Sequence, residues 1–238
     1  MSESVRAVLF DKDGTLIDFQ ATWAPTFHTL IEEVSQGDAA VLAGLAEASG
    51  YLLETRRFAP DSVLVAGTND EVAEAWGAVL GDVDLEALFA DIDARIGDMS
   101  LPHLTPFGDL VPVLDALAAR GLALGVATND SEASARTQLT ALGLETRFAA
   151  VIGADSGHGA KPEPGMIHGF CAAVGVRPHE VVMVGDSLHD MHAGRAAGAR
   201  TLAVTSGTVG AEVLAPHADH VAGSLAEALA WIEAQATG

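Results

Sequence analysis

From about residue 104 to the end of the chain, short apolar and β-branched runs alternate with alanine-rich helical stretches, and glycine closes each stretch before the next run. LVPVLDALAARG reads as a helix ended by Gly121, and LALGVAT as a strand. SEASARTQLTALG, PGMIHGFCAAVG and LHDMHAGRAAG read as helices, and FAAVIG, EVVMVGD and ARTLAVT as strands. Strands separated by helices of ~10 to 15 residues form parallel βαβ units with right-handed crossovers, which place helices on both faces of the sheet. VVMV, apolar on both sides, fits a buried central strand. The first strand of the sheet is expected far away, at VRAVLF near the N-terminus. The fold class implied is α/β.

Residues 17–100 differ in character and read as helical throughout. TFHTLIEEV, AAVLAGLAEASGYLLETRR, EVAEAWGAVL and DLEALFADIDARIG repeat apolar residues at i, i+3, i+4 and i+7. Thr68 with Glu71 fits a capping box, and SVLVAG before it suits either a short strand or a buried loop. The segment carries Arg56, Arg57 and Arg95 against 16 carboxylates. An inserted helical domain over 17–100 is expected, with 1–16 and 101–238 forming the core and PHLTPFGD the linker back to it.

Charge narrows the partners. With 12 Lys and Arg against 33 Asp and Glu, the formal net charge of −21 opposes binding to nucleic acid or to anionic membrane. No stretch approaches the roughly 20 apolar residues that cross a bilayer, and MSESVRAVLF lacks the form of a signal peptide. A soluble, cytoplasmic protein is expected. The single Cys171 lies among apolar residues and reads as a small buried hydrophobe. Oligomeric state leaves no mark in the sequence.

Ligands of parallel sheets bind beyond the carboxyl ends of the strands, and four short motifs fall there. The first strand ends in Asp11-Lys12-Asp13-Gly14-Thr15-Leu16, where one carboxylate can attack while the other, protonated, serves a leaving oxygen. An Asx turn closing the strand would use the same residues. Thr128 and Asn129 bring a hydroxyl and an amide to a helix N-terminus that suits an anion, although both are also ordinary N-caps. Lys161, one of only two lysines with Lys12, stands beside Pro162 where it can hold a phosphate. Asp186 and Asp190 in GDSLHD pair hard oxygens suited to Mg²⁺, while Ser187 with Asp190 alone makes a capping box.

Together, DKDGTL at 11–16, Thr128, Lys161 and GDSLHD at 185–190 resemble the haloacid dehalogenase superfamily of phosphohydrolases, and the insertion resembles the helical cap of the phosphoglycolate phosphatase subgroup. The resemblance implies a Rossmann-like core and a Mg²⁺-dependent phosphatase acting on a small phosphorylated metabolite. It implies Asp11 as nucleophile and Asp13 as acid and base. Thr128, the Asn129 backbone and Lys161 would bind the phosphoryl group. Mg²⁺ would be held by Asp11, the Asp13 main-chain carbonyl and Asp186, with Asp190 orienting that set or binding through water. Asp13 sets the chain apart from the dehalogenases, and the absence of lysine from 17–100 excludes a phosphonoacetaldehyde hydrolase. A β-phosphoglucomutase-like mutase and a scaffold that binds phospholigands without turnover are the alternatives. DFQATWAP departs from the usual continuation of phosphoglycolate phosphatases, so the metabolite stays open. Arg56 and Arg57 would either meet a second anionic group or balance the acidic surface. Trp23 and Trp76 read as core of the insertion, and His189 with His192 as ordinary polar residues of a helix that starts at the mouth of the site rather than a transition-metal pair. His158 reads as a surface loop residue.

Overall fold

In the computed structural model, which describes residues 4–59, 62–66 and 69–236, VRAVLF supplies β1 (Ala7–Phe10). Helices α1 (Phe19–Ser35) and α2 (Ala39–Ala48) follow, then a hairpin of β2 (Tyr51–Leu52) and β3 (Arg57–Phe58). Next come α3 (Val63–Ala66), α4 (Asn69–Leu80) and α5 (Leu85–Ser100). The chain returns through α6 (Leu110–Ala119), β4 (Ala123–Ala127), α7 (Glu132–Ala141), β5 (Ala150–Ile152) and α8 (Gly165–Val174). It closes with β6 (Val181–Gly185), α9 (Leu188–Ala197), β7 (Arg200–Val204), α10 (Ala211–Leu214), β8 (His220–Ala222) and α11 (Leu225–Ala236).

Six strands form one parallel sheet in the order β5-β4-β1-β6-β7-β8. β1 lies between β4 and β6, and its four residues are buried because both neighbours and both faces are covered. Side chains alternate across the strand. Val8 and Phe10 join the apolar cluster under α6, α7 and α11, whereas Ala7 and Leu9 join the one under α8. The register sets Phe10 opposite both Val126 and Val184, so the chain leaves three adjacent strands at one level. The expected α/β sheet with helices on both faces is observed. It gains β8, a strand of three residues that the sequence reading did not single out.

The inserted helices gather a cluster of their own around Phe27, Leu45, Tyr51, Phe58 and Trp76. Its aromatic rings meet in tilted and edge-on pairs, with Phe27 and Tyr51 centroids 5.1 Å apart. Two expectations are corrected here. AAVLAGLAEASGYLLETRR is not one helix: α2 ends at Ala48, and Gly50 takes a φ of 65° with no room for a side chain, since a Cβ would lie 2.9 Å from Ser62 Cα. In the hairpin beyond, Tyr51 and Phe58 point inward while Leu52 and Arg57 face solvent, the alternation of strands rather than helices. SVLVAG contains the single turn α3, neither strand nor loop. The Thr68 capping box lies outside the described residues. No helix among the described residues is long and apolar enough to cross a membrane, and Cys171 is buried and unpaired.

Candidate active site

Asp11 follows β1 directly, and its N–H donates to Val184 O at 2.8 Å, which carries the sheet ladder one residue past the strand. Thr128 is fixed in the same way by its N–H on Ile152 O at 2.9 Å, and it is buried. Lys161 reaches this level from the loop before α8. Its Nζ donates to Asp11 Oδ1 and to Asp190 Oδ1, both at 2.6 Å. The Asn129 amide clamps the backbone behind it, accepting from Lys161 N at 2.8 Å and donating to Lys161 O at 3.0 Å. Asn129 thus places Lys161 through its side chain, a function the sequence reading did not give it.

Of the two roles weighed for Asp190, the capping box is observed, and its other oxygen holds Lys161. Its Oδ2 accepts from Ser187 N–H at 3.0 Å and Ser187 Oγ at 2.7 Å, closing the capping box of α9, while Oδ1 holds Lys161. Asp186 stands ahead of α9, not within it, so the pair meets through the strand-to-helix turn rather than along one helix face. Thr15 Oγ1 donates to Asp186 Oδ1 at 3.2 Å. The Gly14 and Gly207 backbones lie close to the other oxygen of that carboxylate: a Cβ on Gly14 or Gly207 would come within 2.3 Å or 1.7 Å of Oδ2. Gly207 and Ser206, whose Oγ donates to Gly14 O at 2.7 Å, belong to the loop after β7 and carried no sequence signal.

One carboxylate oxygen from each of Asp11, Asp186 and Asp190 lies within 4.8 Å of the others. Burial raises Asp11 to about 7, with Lys161 pulling it down and the Asp190 and Asp13 charges pushing it up. Burial also drives Asp186 well above the carboxylate range, reinforced by Asp11 and Asp190. Burial lowers the Lys161 ammonium, yet Asp11 and Asp190 outweigh it and raise the group overall. Three buried acids around one lysine leave a surplus of hard, negative oxygen that fits a divalent cation.

The Asp13 carboxylate is held by a second set of groups. Its Oδ2 meets Lys12 Nζ at 2.6 Å, and its Oδ1 accepts from Trp23 Nε1. Lys12 is fully buried, with Asp130 Oδ2 at 3.1 Å, Gln138 Oε1 at 2.6 Å and the Trp23 ring centroid 5.1 Å from Nζ. Gln138 in turn donates to Ser100 Oγ at 2.8 Å, tying this group to the end of α5. Burial lowers the Lys12 ammonium, but Asp13 and Asp130 more than restore it.

Above these groups, the inserted helices close a cavity of about 130 Å³ whose floor includes Asp11, Asp13, Thr128, Asn129, Lys161 and Asp186. Trp23 and Trp76 line it, so they are both core and wall, a distinction that apolar periodicity does not make. Arg56 and Arg57 lie exposed on the hairpin and outside the lining. His189 lines the cavity, whereas His192 faces His217 at 3.2 Å, so the two do not converge. His158 is exposed.

The sequence profile of haloacid dehalogenase-like hydrolases matches residues 5–198. The phosphoglycolate phosphatase of Rhodospirillum rubrum is 32% identical over 205 residues, covering 85% of this chain and 80% of that protein. The N-acetylmuramic acid 6-phosphate phosphatase of Pseudomonas aeruginosa is 29% identical over 222 residues, covering 90% and 91%. Among solved structures, the HAD phosphatase of Thermococcus onnurineus superposes with a TM-score of 0.65 at 25% identity, over 96% of this chain and 98% of that one. A HAD family hydrolase of Deinococcus radiodurans, solved with bound phosphate and sodium, does so with a TM-score of 0.65 at 24% identity, over 97% of each chain. With its four strand-end motifs gathered at one mouth of the sheet, the chain belongs to the haloacid dehalogenase-like hydrolases.

Proposed function

We propose that the chain is a Mg²⁺-dependent phosphomonoesterase, phosphoglycolate phosphatase-like in mechanism, that hydrolyses a small phosphorylated molecule through an aspartyl-phosphate at Asp11. The observation that carries this reading is the contact of Lys161 Nζ with Asp11 at 2.6 Å, beside Asp186 and Asp190 and below Thr128. The family and its phosphatase relatives support hydrolysis of a phosphate ester.

Thr128 Oγ1 and the Asn129 N–H receive the phosphoryl oxygens, and Lys161 offsets their charge. The Asp11 carboxylate attacks phosphorus, the bond to the leaving oxygen breaks, and Asp13 gives that oxygen a proton. Water then attacks the phosphorus of the aspartyl ester and passes a proton back to Asp13, which releases inorganic phosphate and restores Asp11. Asp11, the Asp13 main-chain carbonyl and Asp186 would hold Mg²⁺, which when bound would supply the positive charge that lets a carboxylate meet a phosphate dianion. Asp190 keeps Lys161 and the turn at Ser187 in place. The inserted helices act as a cap that excludes water during transfer.

The test is phosphate release from a panel of phosphate esters with Mg²⁺, with EDTA, and with Asp11→Asn. Activity abolished by EDTA and lowered more than about a thousandfold by the substitution is the expected result. Retention of activity by Asp11→Asn refutes the covalent route. Isomerisation of a sugar phosphate without phosphate release refutes the phosphatase.

A further inference from the structure

We infer that the preferred substrate is a phosphomonoester of a compact apolar alcohol, aryl or branched alkyl, rather than a phosphorylated acid or polyol. The inference rests on the phosphatase reading above and concerns the part of the substrate that leaves.

That part must occupy the cavity beneath the inserted helices, and those helices give it an apolar wall. Phe19 of α1, Phe58 of β3, Trp76 of α4 and Phe89, Ile92 and Ile96 of α5 line it. The polar tips of the nearby aromatic residues are already engaged. Trp76 Nε1 donates to Ser49 Oγ at 2.7 Å, Tyr51 Oη to Ala24 O at 3.1 Å, and Trp23 Nε1 to Asp13. Ring faces are what remain toward the interior.

Among the described residues, no side chain of that wall carries positive charge. Arg56 and Arg57 are exposed, and Arg95 is occupied by Glu33 at 2.7 Å and Asp91 at 2.9 Å. The cation that does line the cavity, Lys161, sits on the floor between two acids, where the phosphoryl group itself needs it. His189 is the other basic side chain of the lining, and it projects from α9 beside that floor. A carboxylate on the leaving group would therefore be desolvated against aromatic rings with no partner, and the hydroxyls of a sugar would lose their water without replacement. An apolar group gains from the same burial. Size agrees as well: the cavity of about 130 Å³ must hold the phosphoryl group on its floor too, which leaves room only for a compact leaving group.

The test compares alcohols of similar reactivity. With Mg²⁺ present, kcat/KM for benzyl phosphate and 3-methylbutyl phosphate is expected to exceed that for phosphoglycolate and glycerol 3-phosphate at least about tenfold. Phe89→Ala, at a partly buried wall position, should shrink that preference at least about fivefold. A preference for phosphoglycolate or the polyol overturns the inference and leaves the phosphatase intact. In parallel, binding of benzylphosphonate and phosphonoacetate to the full chain with Mg²⁺ is measured by calorimetry. Tighter binding of benzylphosphonate, about tenfold or more, is expected, and equal or tighter binding of phosphonoacetate overturns the inference. If no ester releases phosphate, the phosphatase reading fails, and the calorimetric comparison still decides the chemistry of the cavity.

Discussion

Asp186 serves the site at the expense of the fold. Its carboxylate is buried beside Asp11 and Asp190, and the Lys161 ammonium bonds those two neighbours. Because Asp11 is raised to about 7 and Asp186 is also raised, the folded chain holds these protons more tightly than the unfolded one. Without a divalent cation, the cluster therefore loses stability as pH rises from the unfolded carboxylate value near 4 toward and past 7. Asp186→Asn should raise the metal-free Tm at pH 8 by a few degrees, on the order of 1 kcal/mol, and flatten its dependence on pH between 6 and 8. The same variant should lose the rise in Tm that Mg²⁺ gives the parent chain. Calorimetric scans with EDTA and with Mg²⁺ check both, and an unchanged or lower Tm in EDTA at pH 8 would contradict the account. Asp11, Thr128, Lys161, Asp186 and Asp190 were legible in the sequence because each stands at the end of an apolar run or at a helix start. Lys12, Trp23 and Gln138 were not legible as a group. Their contacts join positions up to 126 residues apart, which no local pattern encodes.

At the scale of elements, β6 begins on a charged clamp. A short 3-10 turn over Pro178–Glu180 leads into it, and Glu180 accepts from Arg177 N–H at 2.7 Å and Arg177 Nε at 3.2 Å, with Arg6 at 3.6 Å. These hydrogen bonds, those of Arg177 foremost, hold the Glu180 carboxyl down to about 2. A depressed acid stabilises the fold above its unfolded value of about 4.3, and that contribution fades as pH falls through the folded value. Glu180→Gln should lower the denaturation midpoint at pH 7, with the difference from the parent chain closing by about pH 2. An undiminished difference at the acid end would point to packing instead of charge. The helices and strands of the sheet were readable from periodicity, since each repeats over several residues. The β2–β3 hairpin was not, because its two-residue strands continue an alanine- and leucine-rich run and only Gly50, at positive φ against Ser62, breaks the helix. β8 escaped for the same reason of length.

The whole molecule brings its site together between the mouth of the sheet and the inserted helices, so its floor is polar and its roof apolar. The floor follows from strand order and register, which motifs at strand ends anticipate. The roof does not, since residues that face a cavity and residues that face one another share the same helical spacing. One further consequence comes from where the lysines are. Lys12 is fully buried and Lys161 is 5% exposed, and the chain has no others. Acylating reagents aimed at primary amines should therefore find neither lysine on the native surface. Peptide mapping after brief treatment with a succinimidyl ester should show both lysines unmodified, and both acylated once the chain is unfolded. Cross-linkers and surface tethers that need a lysine side chain should not take hold, and any acylated lysine in the native protein would report an opening of the site itself.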